Sequence, residues 1–249
     1  MIENFTGKAD LYSKHRPSYP KEYINNLLSE NQLSESSVIA DIGSGTGILT
    51  KLLLEKKLHV IAIEPNDDMR RNAEKALNKY EKYKSINAAA ENTSLQNNSV
   101  DLITVGQAFH WFDKEKFKLE CKRVLKESSQ VSLVWNSKDL SSPIMIELQE
   151  ICKETCPKFN GFSGGIEDTP DVYGQFFKDG IFEIKVYKND FEMDLEGFLG
   201  RNMSSSFSPL RGEKEYETYR SALGNLFNKY SLNGKIVYPY ITKSYLGHV

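Results

Sequence analysis

A glycine-rich turn follows the first strongly apolar run of the chain. Residues 38–47 spell VIADIGSGTG, in which a β-branched run typical of a buried parallel strand leads into glycine at every second position. Gly43, Gly45 and Gly47 carry no Cβ atom that would hold a ligand away from the backbone. The helix predicted at Ile48–Lys57 would direct its N-terminal N–H groups toward that turn. This arrangement predicts the nucleotide-type binding corner of a doubly wound α/β sheet.

The spacing of these glycines narrows the classes of nucleotide-binding turn to which they could belong. A dinucleotide fingerprint has the form GxGxxG, whereas Ile48 stands where its last glycine would be. The pattern is GxGxG instead, with Asp41 two positions before the first glycine. The close-packing glycine of a dinucleotide dehydrogenase is therefore missing. A turn that serves only chain reversal is the alternative interpretation.

A carboxylate stands at the end of the second apolar run. Glu64 closes the sequence VIAIE and lies 17 positions beyond Gly47. Its two oxygens could accept hydrogen bonds from both ribose hydroxyls of an adenosine group. Several classes of enzyme with an adenosine-containing cofactor need such a carboxylate, so Glu64 predicts an adenosine ligand without choosing among these classes. Taken alone, it would be an ordinary surface glutamate.

The elements that must position these residues alternate through the first 136 residues, which predicts βαβ units and a parallel sheet. Strands are predicted near 38–42, 58–63, 84–88, 100–105 and 130–135. Helices are predicted at Pro20–Leu28, Ile48–Lys57, Asp67–Tyr80 and Lys114–Lys126, with Asp67 and Asp68 as first-turn acids rather than metal ligands. Beyond Trp135 the predicted elements are a helix at Pro143–Cys156, a strand at Phe182–Val186, a helix at Gly212–Tyr230 and a last strand at Lys235–Leu246.

The glycine turn resembles motif I of class I S-adenosylmethionine-dependent methyltransferases. Asn87–Glu91, NAAAE, resembles the adenine-binding turn of that family, and Gln107–Phe112, QAFHWF, is similar to the branch that contains trans-aconitate methyltransferases and related small-molecule enzymes. Tyr12, Arg16, Pro17, Tyr19 and Pro20 match the N-terminal segment of that branch, which folds over the cofactor. The resemblance extends over essentially the whole chain and is strongest over residues 5–136.

The resemblance implies S-adenosylmethionine as cofactor and S-adenosylhomocysteine as product. The turn would receive the amino acid end of the cofactor, Ala90 and Glu91 would bind the adenine edge, and Pro65 and Met69 could pack on its faces. The cofactor-binding residues implied in this way are Tyr12, Arg16, Asp41, Gly43, Gly45, Gly47, Glu64, Pro65, Met69, Ala90, Glu91, Gln107 and Ala108.

The resemblance also implies an architecture. A Rossmann-like sheet of seven strands, mainly parallel with the last strand antiparallel, would carry a helical cap. Residues 1–136 would form the cofactor-binding core with its N-terminal lid segment, and 137–249 would add the remaining strands and the cap, with one structural domain overall. The cap itself is predicted at about residues 137–180 and 190–232.

His110 is the predicted catalytic residue, with two roles open. Its ordinary pKa of about 6.5 suits a general base that takes a proton from a hydroxyl acceptor. It could equally hold the loop in place and move no proton, which is favoured for a carboxylate acceptor because that group is already ionised.

Evidence for the methyl acceptor is thinner. Trp111 is interpreted as pocket wall or core. Arg201 or Arg211 could clamp an acidic acceptor bidentately, although each is otherwise an ordinary surface arginine. Tyr19, Trp111, Arg201 and Arg211 are therefore the predicted substrate-binding residues.

Composition limits the partners and the compartment. The 32 basic and 34 acidic residues give a net charge of −2, which offers no electrostatic reason to expect nucleic acid. A mean hydropathy of −0.49 predicts no membrane partner. Three cysteines, without a CxxC pair, favour a reducing cytoplasm. The four histidines are scattered, so no metal site is predicted.

The sequence therefore predicts a cytoplasmic methyltransferase, a monomer or weak homodimer, that acts on a small organic acid or on a hydroxyl oxygen. Methyl transfer needs the acceptor to lie in line with the methyl group in a pocket that excludes water. It does not need a catalytic triad. A nucleotide-dependent oxidoreductase and a non-catalytic adenosyl-binding module are the alternatives.

Overall fold

The computed structural model describes residues 17–162 and 170–249. These residues divide into two compact units, each with its own apolar core. The first unit comprises residues 17–136, 170–187 and 242–249, and the second comprises 137–162 and 188–241. The assignment of the whole chain to one structural domain stays a prediction.

Helices and strands follow one another closely in the described chain. In order they are α1 (Lys21–Glu30), β1 (Val38–Ile42), α2 (Ile48–Glu55), β2 (His59–Ile63), α3 (Asp67–Leu77), β3 (Tyr83–Ile86), β4 (Val100–Gly106), α4 (Lys114–Val124), β5 (Leu125–Lys138), α5 (Pro143–Thr155), α6 (Pro170–Phe176), β6 (Glu183–Lys188), β7 (Phe191–Met193), α7 (Leu195–Met203), α8 (Tyr216–Tyr230), β8 (Ile236–Tyr238) and β9 (Tyr240–Gly247). Short 3₁₀ turns cover Phe109–Trp111 and Lys178–Gly180.

The first unit is built on a seven-stranded sheet with the strand order β3-β2-β1-β4-β5-β9-β6. β1 lies parallel to both of its neighbours, with Ala40 opposite Ile61 on β2 and Ile103 on β4. β3 and β5 continue the parallel pairing. The chain thus leaves β1 for one half of the sheet and returns beside it at β4, which creates a crevice at the carboxyl ends of these two strands.

The last strand of this sheet runs in the opposite direction. Thr242, near the start of β9, donates its hydroxyl to Asn136 near the end of β5 at 2.5 Å. His248, just beyond β9, lies 3.1 Å from the carbonyl oxygen of Ser129 near the start of β5. The predicted Rossmann-like sheet with an antiparallel last strand is confirmed.

Apolar side chains cover both faces of the sheet. Ala40 and Ile42 of β1 belong to one core cluster and Ile39 to the other, as the alternation of side chains along a strand requires. The second cluster includes Tyr23 of α1, whose hydroxyl lies 3.0 Å from that of Ser132 on β5. The helix predicted at Pro20–Leu28 is therefore present and is part of the core of the first unit.

The segment around α6 corrects the predicted bounds of the cap. Tyr173, Phe176 and Phe177 are each at most 2% exposed and belong to the core of the first unit. The ring centroid of Phe176 lies 4.8 Å from that of Phe109. Because so much aromatic surface is buried here, this segment packs with the sheet, although the cap was predicted to continue to residue 180.

The second unit has a helical core and a small sheet of its own. Buried side chains of α5, α7 and α8 pack together, among them Leu148, Phe198 and Leu223. β7 and β8 form an antiparallel pair. The single last strand predicted at Lys235–Leu246 is wrong, because Pro239 separates β8 from β9 and the two strands pair in different sheets. Proline has no backbone N–H and so cannot continue a ladder of hydrogen bonds.

The start of α3 has the predicted polar residues. Asn66 caps the helix by accepting a hydrogen bond from the amide of Met69 at 3.0 Å. Asp67 and Asp68 occupy the first turn, where negative charge is stabilised by the helix dipole. Their interpretation as helix N-terminal acids is confirmed.

Helices α2 and α3 meet at Gly47, the residue before α2. Its φ is +82°, in the left-handed region, and a Cβ atom there would lie 2.6 Å from Leu77 Cδ1 of α3. Gly45 also has a positive φ, +56°, but apart from its chain neighbours no heavy atom of the described residues lies within 4 Å of its Cβ position.

We expect Gly47→Ala to lower the free energy of unfolding by about 2–4 kcal/mol, because it adds left-handed strain and an overpacked methyl group. Gly45→Ala adds the strain alone and should cost about 1–2 kcal/mol. Urea unfolding of both variants measures the difference. Equal losses would contradict the packing role of Gly47.

Candidate active site

A cavity opens at the carboxyl ends of β1 and β4 in the first unit. It lies at the topological switch point of the sheet, where open α/β proteins bind their ligands. Its lining comes from the chain before α1, the glycine turn, the start of α2 and the ends of β4 and β5. The lining residues are Pro17, Tyr19, Asp41, Gly43, Ser44, Gly45, Thr46, Ile48, Leu49, Gly106, Gln107 and Asn136.

The three glycines of the turn have different functions. A Cβ atom at Gly43 would lie 2.6 Å from the Cβ of Ala108, so this glycine admits the loop that follows β4. Gly45 is the one beside open space. Gly47 does not line the cavity, because it faces α3. Protein side chains thus lie at the Cβ positions of Gly43 and Gly47, whereas that of Gly45 is open. The expectation that these glycines bind a ligand stays a prediction.

Glu64 ties the glycine turn to the start of α3. Its Oε2 accepts from the amide of Gly45 at 2.9 Å, and its Oε1 accepts from the amide of Asn66 at 2.8 Å. Burial raises the pKa of the carboxyl, although both amides favour the ionised form. Each oxygen keeps a further lone pair. Glu64 is not among the cavity-lining residues.

Asp41 is a buried carboxylate that lines the cavity. It accepts hydrogen bonds from the hydroxyl of Thr50 on α2 at 2.5 Å and from that of Thr104 on β4 at 2.9 Å. Burial raises its pKa to about 6, against the effect of these two donors. Within residues 17–162 and 170–249, no Lys, Arg or His nitrogen lies within 4.0 Å of it.

The hydroxyl of Thr46 also lacks a hydrogen-bond partner among the described residues. Its Oγ1 is buried and makes no hydrogen bond within the part of the chain that the structure describes. Thr46 lines the cavity next to Gly45. A buried hydroxyl without a partner is uncommon in proteins, so the turn combines an open position with unused hydrogen-bonding capacity.

Gln107 and Asn136 join the strand ends around the cavity. Gln107 has φ +60°, rare for a residue with a side chain, and its Nε2 donates to the Asn136 carbonyl at 3.0 Å. Asn136 donates from Nδ2 to the carbonyl oxygens of Pro17 at 3.0 Å and Ser18 at 3.3 Å. Asn136 was not predicted as a site residue. Its position at the carboxyl end of a predicted parallel strand was the available signal.

The predicted adenine-binding turn contacts the segment after β4. Glu91 Oε1 accepts from the amide of Asp113 at 2.8 Å. Ala90 and Met69 are buried, and Pro65 is half-buried. None of these four residues lines the cavity, and neither does Ala108. Asp41, Gly43, Gly45 and Gln107 are the predicted cofactor residues that the structure brings together there, and Tyr12 and Arg16 lie outside the described residues.

His110 lies in the 3₁₀ turn that follows β4. Its ring centroid is 4.5 Å from that of Trp111 and 5.2 Å from that of Trp135. Trp111 is 41% exposed and is therefore not a core residue. Neither His110 nor Trp111 lines the cavity, whereas Tyr19, the third aromatic candidate, is buried and does.

The two predicted arginines belong to the second unit. Arg201 donates from Nη2 to the hydroxyl of Tyr240 at 2.9 Å. Arg211 is exposed. Among the described residues, no group of three or more His, Cys, Asp or Glu side chains could hold a metal ion. Nor does any described helix combine the length and hydropathy that crossing a bilayer requires.

Comparison with known proteins relates the cavity to a family. Residues 40–133 match the methyltransferase domain family. An uncharacterized methyltransferase of Mycobacterium tuberculosis is 36% identical over 151 residues, which are 61% of this chain and 59% of that protein. One from Schizosaccharomyces pombe is 32% identical over 159 residues, 63% of this chain and 61% of that protein. The chain thus spans about three fifths of the length of these relatives.

Solved structures share the fold at low sequence identity. A protein of Anaeromyxobacter dehalogenans, provisionally assigned as a type II methyltransferase, has a TM-score of 0.66 and 19% identity and covers 94% of this chain and 97% of its own. Phosphoethanolamine N-methyltransferase 2 of Haemonchus contortus, solved with S-adenosyl-L-methionine, has a TM-score of 0.57 and 13% identity and covers 100% of this chain and 60% of its own. The family match begins within β1 and ends within β5, so it includes the glycine turn and the ends of β1 and β4 at the cavity.

Proposed function

We propose that this chain transfers a methyl group from S-adenosylmethionine to a small-molecule acceptor and releases S-adenosylhomocysteine. The observation that carries the proposal is Asp41, a buried carboxylate that lines the cavity of a methyltransferase domain without a cationic partner among the described residues. A ligand with positive charge, such as the ammonium and sulfonium groups of this cofactor, would be attracted to it. The pyrophosphate of a dinucleotide would be repelled, which argues against the oxidoreductase.

The cavity residues fit the amino acid end of the cofactor. Gly45 leaves space beside the turn, and the hydroxyl of Thr46 is available as a donor or acceptor. Gln107 faces the turn from the end of β4. We assign these residues, with Asp41 and Gly43, to direct cofactor contact, and Gly47 and Ala108 to the packing that shapes the turn.

The adenosine end would extend toward β2 and the turn after β3. Glu64 would use the free lone pairs of its two oxygens for the ribose hydroxyls. Ala90 and Glu91 would bind the adenine edge, with Pro65 and Met69 beside the ring. Tyr12 and Arg16 would complete the site from the N-terminal segment.

The bound cofactor would supply an electrophilic methyl group, and the protein would position the acceptor in line with it and exclude water. The ring of His110 contacts two indole rings, which suits a positioning role for an organic acid acceptor and a general base for a hydroxyl. We place the acceptor among small organic acids or hydroxyl compounds, in the manner of the trans-aconitate branch. Tyr19, Trp111, Arg201 and Arg211 are its candidate contacts, and the second unit is the candidate substrate cap.

The affinity for S-adenosylmethionine should depend on the ionisation of Asp41. Its pKa is raised to about 6 in the free protein, so a cationic ligand binds better as pH rises through that value. Calorimetry is expected to show an increase in affinity of up to about tenfold between about pH 5 and pH 7. Asp41→Asn should abolish this dependence and weaken binding at neutral pH. If the affinity of the variant increased with pH to the same extent, Asp41 would be excluded as the source of the pH dependence.

Without ligand, the raised pKa has the opposite effect on stability. The folded protein holds the Asp41 proton to higher pH than the unfolded chain, so the contribution of this group to stability falls between the unfolded pKa near 4 and the folded pKa of about 6. The free energy of unfolding of Asp41→Asn should therefore rise by about 2–3 kcal/mol relative to that of wild type as the pH increases across that interval. Urea unfolding at several pH values measures this gain, and a constant difference would contradict the buried carboxylate.

The ribose role of Glu64 can be separated from its structural role. Glu64→Gln should weaken S-adenosylhomocysteine binding by about 10-fold or more, but it also disturbs the amides of Gly45 and Asn66. The matched ligand is therefore the 2′-deoxy analogue. Removing the ribose 2′-hydroxyl should reduce the affinity of wild type more than that of the variant, because the interaction between this hydroxyl and the Glu64 carboxylate exists only in wild type. Equal penalties in both proteins would remove Glu64 from the ribose site.

Two variants of His110 distinguish its role as a general base from its role as a positioning residue. His110→Phe keeps a ring that can contact the two indoles, whereas His110→Ala does not. On carboxylic acid acceptors found in a labelled methyl transfer screen, we expect the phenylalanine variant to retain activity within about threefold and the alanine variant to lose more. On hydroxyl acceptors, both should fall by about 100-fold. Equal, severe losses on acids would contradict the positioning role.

A further inference from the structure

The second unit contains a lysine whose ammonium group has no anionic partner among the described residues. Lys138, at the end of β5, is half-buried, and its Nζ lies 4.0 Å from the ring centroid of Phe162. Within residues 17–162 and 170–249, no carboxylate oxygen lies within 4.0 Å of this nitrogen and no group accepts a hydrogen bond from it. A cation–π contact offsets part of the cost of burial, but none of the three N–H donors has an acceptor among the described residues.

A guanidinium group in the same unit is held by aromatic rings. The Cζ of Arg201 lies 5.1 Å from the ring centroid of Phe191, 5.3 Å from that of Tyr238 and 5.2 Å from that of Tyr240. Its Nη2 donates to the hydroxyl of Tyr240 at 2.9 Å. These contacts fix the orientation of a planar donor group whose fork geometry matches a carboxylate.

The backbone brings these two cations to the same part of the unit. The amide of Asp139, next to Lys138, donates to the carbonyl of Pro239 at 3.1 Å, and Pro239 separates the two tyrosines that surround Arg201. Burial, together with the positive charge of Arg201, lowers the pKa of Lys138 to about 8. An anion between the two positively charged groups would relieve their repulsion.

We propose that Lys138 and Arg201 form a binding site for the carboxylate group of the methyl acceptor. The aromatic walls would exclude water from that group and strengthen its interaction with both cations. The anion site follows from the two cations alone. Only the identity of its ligand as the methyl acceptor rests on the proposed function.

The test uses succinate and its uncharged diamide as matched probes of the cofactor-free protein. Calorimetry at low ionic strength should detect succinate binding that weakens with added salt. Lys138→Met and Arg201→Gln should each reduce succinate affinity by at least about tenfold. Lys214→Met removes an exposed cation of the same unit and should leave the affinity unchanged.

Two results would overturn the site. One is equal succinate affinity in wild type and Lys138→Met, and the other is diamide binding as tight as succinate binding. Thermal unfolding checks the variant itself. Lys138→Met should melt no lower than wild type, since it removes a partly buried charge, and a lower melting temperature would indicate a structural partner for the lysine and overturn the proposal.

Titration of the same samples with S-adenosylhomocysteine keeps the two proposals apart. If S-adenosylhomocysteine binds and succinate does not, the anion site fails alone. If succinate binds and S-adenosylhomocysteine does not, the anion site stands and the proposed function fails. In that case its ligand is an acid that is not a methyl acceptor.

Discussion

The close approach of the loops that follow β1 and β4 is the constraint on which the candidate site depends. Gly43 and Ala108 meet where any larger side chain at position 43 would force the loops apart. Just below this contact, Asp41 accepts from hydroxyls of α2 and β4 and so fixes the strand ends in register. The Cβ positions of Gly43 and Gly47 are occupied by protein side chains, whereas that of Gly45 is open. The turn thus combines two packed glycines with one that leaves space beside the backbone.

Local sequence predicted most of the first unit because its strands and turns are locally encoded. The β-branched run before Gly43 and the glycine spacing indicate strand, turn and helix without reference to distant residues. The packing roles of Gly43 and Gly47 were not predictable in this way, since Ala108 and Leu77 lie far along the chain. Asn136 was missed for the same reason, because its importance comes from contacts with residues more than a hundred positions away.

The errors in the later chain have a common physical cause. The segment around α6 was assigned to the cap by its position in the sequence, but its aromatic side chains pack in the core of the first unit. The last strand was predicted as one element because its β-branched and aromatic residues continue through Pro239. Composition reports the preference for strand, whereas pairing with a particular sheet depends on tertiary contacts.

The charges in the two units favour ligands of opposite sign. In the first, a carboxylate without a cationic partner among the described residues favours a positively charged ligand. In the second, two cations beside aromatic rings favour a negatively charged one. In the proposed reaction the choice of acceptor would come from binding rather than from a reactive group, because methyl transfer asks little of side chains beyond alignment and the exclusion of water. A cation pair of this kind could select acids over neutral compounds without taking part in the chemical step.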